Sequence, residues 1–403
     1  MTKPIPKETH RMSGLSDLGQ STGIGHYLSD QTAIEDFVRG CTFFATGGGG
    51  LPKNGIASLA SELGAGRQIG WVAPEDIDDE TMVACPFLMG SIAPHSPETL
   101  REMEGFGFIE TVNSEKDRMR KALEELEEYA GVQIGAIIPI ELAGANTSAA
   151  VAAASALGIA VFDGDFTGRA IPEIHQTTPY LHNKPILPIS SVDEWGNVAL
   201  IKAGTNYRVI ERLGKLISAT GYGLAGQAGF LMKAREAKAL VVQGTLSASH
   251  DLGRFIRETR ETGSDNMATA IAERLGGAVL LEGTVTKKNE DDRLGYYWGD
   301  FTVAASGGDR LKVWFKNENH VSWLNDVPFV TSPDLISLVD RQTGEPIPNP
   351  LVEKGQDVAV IATPSPQHFR TPKGIDVLGP RYFGFDIDHS PLETLVKNRS
   401  VVS

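Results

Sequence analysis

Between residues 81 and 163 three short apolar runs alternate with two helix-like segments, and this alternation limits the fold more than anything else in the chain. "TMVACPFLMGS" (81–91), "GAIIPI" (135–140) and "IAVFD" (159–163) have the length and composition of buried strands. Between them, "NSEKDRMRKALEELEEYAG" carries an apolar stripe at Met119, Ala122, Leu123, Leu126 and Ala130, opens on Ser114 and stops at Gly131. "NTSAAVAAASALG" is a small-residue helix able to lie close on a sheet. Strand, helix, strand, helix, strand is a βαβ pattern. It requires parallel strands with right-handed crossovers, so the turns after the strands collect along one edge. Ligands of open α/β sheets bind at that edge.

The 403 residues exceed what one core normally serves, so two domains follow. The predicted organisation is a tail at 1–28, an α/β N-terminal domain with a mainly parallel sheet at 29–175, and a β-rich (α+β) C-terminal domain at 176–395. In the first domain "SDQTAIEDFVRG" predicts a helix capped by Asp30 or Ser29 and ended by Gly40. "CTFFAT" predicts a short strand broken by the glycines 47–50, and "NGIASLASELGAG" another helix. In the second, "NYRVIERLGKLISAT" and "SASHDLGRFIRETRE" read as helices. Short β-branched or aromatic runs dominate after about residue 278.

A net charge of −14 argues against phosphate-backbone binding, so no nucleic-acid partner is expected. The N-terminus lacks the apolar core of a signal peptide, and no run approaches the roughly 20 residues of a membrane span. A cytoplasmic protein with a small-molecule substrate is the expectation. Cys41 and Cys85 sit in apolar stretches and are expected to be buried, reduced thiols rather than nucleophiles.

"FDGDFTGRAIPE" concentrates the polar chemistry. Asp163 and Asp165 stand two apart at the end of a predicted strand and so point the same way. Their repulsion must be relieved by a proton, by Arg169 or by a cation. Each state suits hydrolysis: a proton donor or acceptor, an anion clamp, or a metal that activates water. Glu173 follows Arg169 by four residues, which also permits a plain helical ion pair. Glu141 ends the previous strand and is either a general base, a ligand anchor or a stabilising acid near a helix start; Asn146 opens that helix. Gly47, Gly48, Gly49 and Gly50 form either an anion- or substrate-binding loop or a steric turn, matching neither dinucleotide nor P-loop patterns. Asn317 and Glu318 follow a strong strand, in a hairpin turn or a substrate-facing loop. Arg370 meets an anion or braces its loop. The histidines form no metal-ligand spacing. Zinc or another divalent ion shared by His175 and the carboxylates remains open, and the sequence does not fix the metal.

Seven of these segments, "ATGGGG", "ELAGANTS", "FDGDFTGRAIPE", "KNEN", "SPDLISLVD" with "TGEPI", and "TPSPQHFRTPKGIDVLGPRYFGFD", occur in order over roughly residues 30–390. Together they resemble the S-methyl thiohydantoin desulfurase-like family, first described as a domain of unknown function. The resemblance implies two domains and an association with hydantoinase and oxoprolinase genes. It also implies hydrolysis of a cyclic S-methyl thiohydantoin to a hydantoin and methanethiol. On that reading Asp163 or Asp165 is the base or holds a divalent ion, Arg169 balances developing charge, and the glycine amides hold an acidic side chain of the substrate. The alternative from another class is a non-catalytic subunit or regulatory partner of a hydantoinase-type enzyme; the expected partner is a second copy of the chain, in a homo-oligomer, or a hydantoinase-type protein. A nucleotide-binding protein using the glycine loop is a third, weaker reading.

Overall fold

In a computed structural model, residues 25–91, 95–293 and 295–400 are described, with side chains to 397. The three apolar runs fold as the strands Met82–Gly90, Ile134–Ile137 and Ala160–Val161, paired in parallel as the alternation requires. The sheet continues on the other side of Met82–Gly90 through Leu224–Lys233, Ile189–Val192 and Val198–Ile201, each antiparallel to its neighbour. The sheet is therefore mixed. Four strands run one way, and Leu224–Lys233 and Val198–Ile201 run against them. Strands as late as residue 233 belong to this first sheet, so chain well beyond residue 175 still builds the α/β layer.

Both faces of the sheet are covered. Helices Glu115–Ala130 and Asn146–Leu157 bring Met119, Leu123, Leu126 and Val151 to one face. Helix Tyr207–Thr220 brings Ile210 to the other, against Phe87 and Met89. Ser114 accepts a hydrogen bond from Asp117 N, and Gly131 closes the long helix with a left-handed φ of 66°, as expected from a serine–glycine pair.

The segment 41–44, expected as a strand, is helical: one helix runs from Gln31 to Phe44, capped by Asp30. Ile34, Phe37, Val38 and Cys41 keep the i, i+3, i+4, i+7 spacing straight through Gly40. Gly40 does not end the helix because it is where helix Thr245–Glu261 crosses. A Cβ on Gly40 would overlap the backbone carbonyl of Ser249, and one on Gly253 would overlap that of Asp36. The absence of two side chains lets the backbones touch. Gly40→Ala is expected to destabilise the fold by about 1–3 kcal/mol or more through overpacking, read as a lower denaturant midpoint at unchanged m.

The C-terminal sheet is antiparallel throughout, in the order Val327–Thr331, Glu318–Leu324, Arg310–Lys316, Tyr296–Ala304, Ala278–Arg293, Asp357–Thr363, Leu335–Asp340. It curls into a half-barrel around Phe301, Val313, Phe315 and Val360. Asn319 Nδ2 donates to Ile336 O at 2.9 Å across the opening. The architecture is thus the expected pair of an α/β and a β-rich unit. The segment 317–319 is only briefly a turn: Asn317 takes a left-handed φ of 58° and Glu318 starts the next strand.

Residues 1–24 of the expected tail lie outside the described residues. Its last part is docked, with His26–Tyr27 paired to Gly70–Trp71 and Leu28 buried. Among the described residues no helix is long and apolar enough to cross a membrane. Cys41 and Cys85 are buried, and burial pushes both thiols up in pKa, Cys85 well above its ordinary value.

Candidate functional site

Gly90, where one parallel strand ends, and Ile140 and Glu141, just after another, meet Asn317 and Glu318 of the C-terminal unit around one space. Thr46 and Gly47 fasten the two units together: Asn319 N donates to Thr46 O and Asn349 N to Gly47 O, both at 2.8 Å. A cavity of about 90 Å³ lies at this junction. Gly48, Gly49 and Gly50, then Glu141, Asn146, Glu173, Asn317 and Glu318 line it, with Glu211 and Lys215.

The glycine loop is sandwiched between the units. A Cβ on Gly47 would strike Asn349 and one on Gly48 the Glu318 carboxyl; one on Gly49 would strike Ala143 and one on Gly50 Ala145. Gly47, Gly49 and Gly50 also hold φ of 96°, 73° and 84°. The Gly48 amide is already spent on Ala45 O. Steric fit is therefore one reason for the four glycines, and it lets backbone line the cavity.

Glu141 sits just past the edge of the sheet. Its Oε1 accepts from Asn146 Nδ2 at 2.7 Å and its Oε2 from Ile171 N at 2.8 Å, while Asn146 Oδ1 accepts from Leu88 N. These bonds fix the plane of the carboxylate. Burial pushes its pKa up to about 7, against the opposing pull of the two donors. Glu318 faces the same space from the other unit, 1% exposed, and burial followed by the Glu141 carboxylate pushes it well above the carboxylate range. Glu173 is held low: Lys316 Nζ donates to its Oε1 and Tyr382 Oη to its Oε2 at 2.7 Å, and these outweigh burial.

Glu211 and Lys215 come from helix Tyr207–Thr220. Glu211 accepts from Ile174 N at 2.9 Å and from Tyr296 Oη at 3.2 Å. Lys215 Nζ donates to Gly295 O at 3.1 Å and lies 4.3 Å from the Tyr296 ring centroid; burial lowers its pKa. The sequence reading missed this pair. Its signal was present: two charges spaced i, i+4 on the face that carries Ile210, Gly214 and Ser218.

The two aspartates lie elsewhere. They do point the same way, but toward the first turn of helix Thr245–Glu261. Asp163 accepts from Ser247 N at 3.0 Å and Ser247 Oγ at 2.6 Å. Asp165 accepts from Thr245 Oγ1 at 2.7 Å, Thr167 N at 2.9 Å and Gly168 N at 2.7 Å. Hydroxyl and amide donors meet both carboxylates, Arg169 is turned to other oxygens, and neither aspartate lines the cavity. Arg169, also off the cavity wall, is fully buried. It donates to Ala170 O, Pro333 O, Thr46 Oγ1 and Asn319 O at 2.9–3.1 Å. Glu173 pairs with Lys316 rather than with Arg169, because the segment is not helical. Arg370 braces its loop through Asp334 and Glu393 at 2.8 Å and stays away from the cavity.

Gly47 underlies the loop without lining the cavity. Asn317 does line it, but its Oδ1 is taken by Tyr297 N at 2.8 Å. His175 stands 3.7 Å from Glu173 with burial pushing its pKa down to about 4. Among the described residues no group of three or more His, Cys, Asp or Glu is arranged to hold a metal ion.

Two family models cover the chain: "S-Me-THD-like, N-terminal domain" matches residues 32–203 and "S-Me-THD-like, C-terminal domain" residues 205–392. A crystal structure of a protein from Chromobacterium violaceum has the same fold. Its TM-score is 0.73 at 20% identity, over 91% of this chain and 100% of that one. No curated protein matches.

Proposed function

Because the chain belongs to the S-Me-THD-like family, we propose that it hydrolyses a cyclic thioureide of the S-methyl thiohydantoin class, releasing methanethiol and leaving a hydantoin. The observation that carries this reading is Glu141. It is a carboxylate with both oxygens anchored, facing a small cavity, and poised by burial near neutral pH, as a general base needs to be.

The chemistry balances without an oxidant or reductant. Glu141 takes a proton from water as the oxygen bonds to the ring carbon that bears sulfur. The C=N pair moves to the ring nitrogen, which receives that proton. The tetrahedral adduct then expels sulfur and forms C=O. Lys215, whose ammonium meets the Gly90 and Gly295 carbonyls and the Tyr296 ring, supplies positive charge at the rim as negative charge develops. Gly48–Gly50 present backbone to a flat ring where side chains would fill the space. Arg169 supports this centre from behind by holding Thr46 and Asn319.

The test is incubation with S-methyl thiohydantoins and with hydantoins, following released thiol and the ring product together. Equimolar thiol and hydantoin are expected. Absence of thiol from every S-methyl ring overturns the reading. If the protein instead changes the kinetics of a hydantoinase-type enzyme, it is a regulatory subunit.

A further inference from the structure

We infer that Glu318 is the acid that protonates the departing sulfur, an inference that rests on the hydrolytic reading above. Glu318 begins a strand of the half-barrel, is 1% exposed, and lines the cavity opposite the unit that supplies Glu141. Its Oε2 is buried with no hydrogen-bond partner. Such an orphan is costly unless a ligand meets it. The fold also makes room for it, since any side chain at position 48 would occupy the place of its Oε1.

No cation pairs with this carboxyl among the described residues. The Arg169 donors are spent on four neutral oxygens, and Lys215 bonds carbonyls. Burial, and then the Glu141 carboxylate, favour its neutral form and outweigh the opposing pull of Arg169 and Lys215 through space. A buried neutral carboxyl is a hydrogen-bond donor aimed into a cavity. The proposed reaction needs one there. An alkyl thiol stays protonated at neutral pH, as the cysteine thiol pKa of about 8.5 illustrates, so the departing sulfur ends as a thiol. A donor beside it neutralises the charge that gathers on sulfur as its bond to carbon breaks.

In the collapse of the adduct, Glu141 takes the hydroxyl proton as C=O forms. The C–S pair goes to sulfur, and sulfur takes the Glu318 proton. The enzyme is left with Glu141 protonated and Glu318 ionised. Transfer of one proton from the first to the second, directly or through solvent, resets it.

The experiment compares wild type and Glu318→Gln on two rings that differ only in the leaving group, S-methyl and S-(2,2,2-trifluoroethyl). The fluorinated thiol is much the stronger acid and departs without help. The variant is expected to lose about 10²–10⁴-fold in kcat on the S-methyl ring, and less than about tenfold on the trifluoroethyl ring. Glutamine is isosteric with the neutral acid, so folding should persist. Glu318→Asp, which keeps the proton, is expected to recover part of the S-methyl activity. Equal losses of Glu318→Gln on both rings overturn the assignment. A wild type inactive on both overturns the hydrolytic reading itself.

Discussion

Glutamine at position 141 is expected to lower kcat by about 10²–10⁴-fold, the usual contribution of a general base, and to remove a limb from the pH profile. Burial holds Glu141 protonated up to about 7, and only its ionised form can take a proton from water. The wild-type rate should therefore rise with pH through that value, and the rise should vanish in Glu141→Gln. The same shift has a sign for stability. Glu141 titrates from 4.5 in the unfolded chain to about 7 in the folded one. Its contribution to stability is fully present below the lower value and lost as pH climbs through the upper. Glutamine also brings a structural cost, because both carboxyl oxygens accept from donors, Asn146 Nδ2 and Ile171 N. An amide must turn its NH₂ toward one of them, at about 1–3 kcal/mol. Thermal unfolding of the variant separates that cost from the catalytic loss. A folded Glu141→Gln with an intact limb would remove Glu141 as the base.

How far the sequence disclosed all this depends on whether a signal was local. The parallel strands were legible because Met82–Gly90, Ile134–Ile137 and the run before Asp163 each carry their own apolar pattern. Helix 31–44 was cut short in the reading because Gly40 mimics a stop, and only its contact with Ser249, two hundred residues on, shows otherwise. Asp163 and Asp165 were correctly oriented relative to each other. Their destination depends on where Thr245 and Ser247 fall, which local pattern does not encode. Glu141 was visible as an acid at a sheet edge. Glu318 was visible only as a poor strand former after a strong strand, and that its carboxyl meets Gly48 depends on how the two units dock. Residues whose role lies within their own turn of chain were readable, and those whose role lies across the junction were not.

Arg169 is the sharpest case of the second kind, and its removal is expected to be the most damaging substitution in the junction. It is fully buried, and its guanidinium joins the Thr46 hydroxyl of one unit to the Asn319 and Pro333 carbonyls of the other. Burial lowers its pKa to about 10, with Glu318, Asp334 and Glu141 opposing the shift, so it stays charged at neutral pH. In Arg169→Met the side chain still fills space, but those acceptors lose their donors in a site water reaches poorly. Breaking such a network costs on the order of 3–5 kcal/mol, which for a protein of this size means a fall in Tm on the order of 10 °C or failure to accumulate. Arg169→Lys keeps the charge without the planar fork and should recover only part of the loss. Any folded Arg169→Met that survives should still turn over slowly. The strand start that carries Glu318 and the loop that carries Gly48 are tied to each other through this guanidinium, the Asn319 N to Thr46 O bond beside it, and Asn349, which bonds both Gly47 O and Asn317 O. A variant with wild-type Tm and wild-type turnover would show that the junction is held by something other than Arg169.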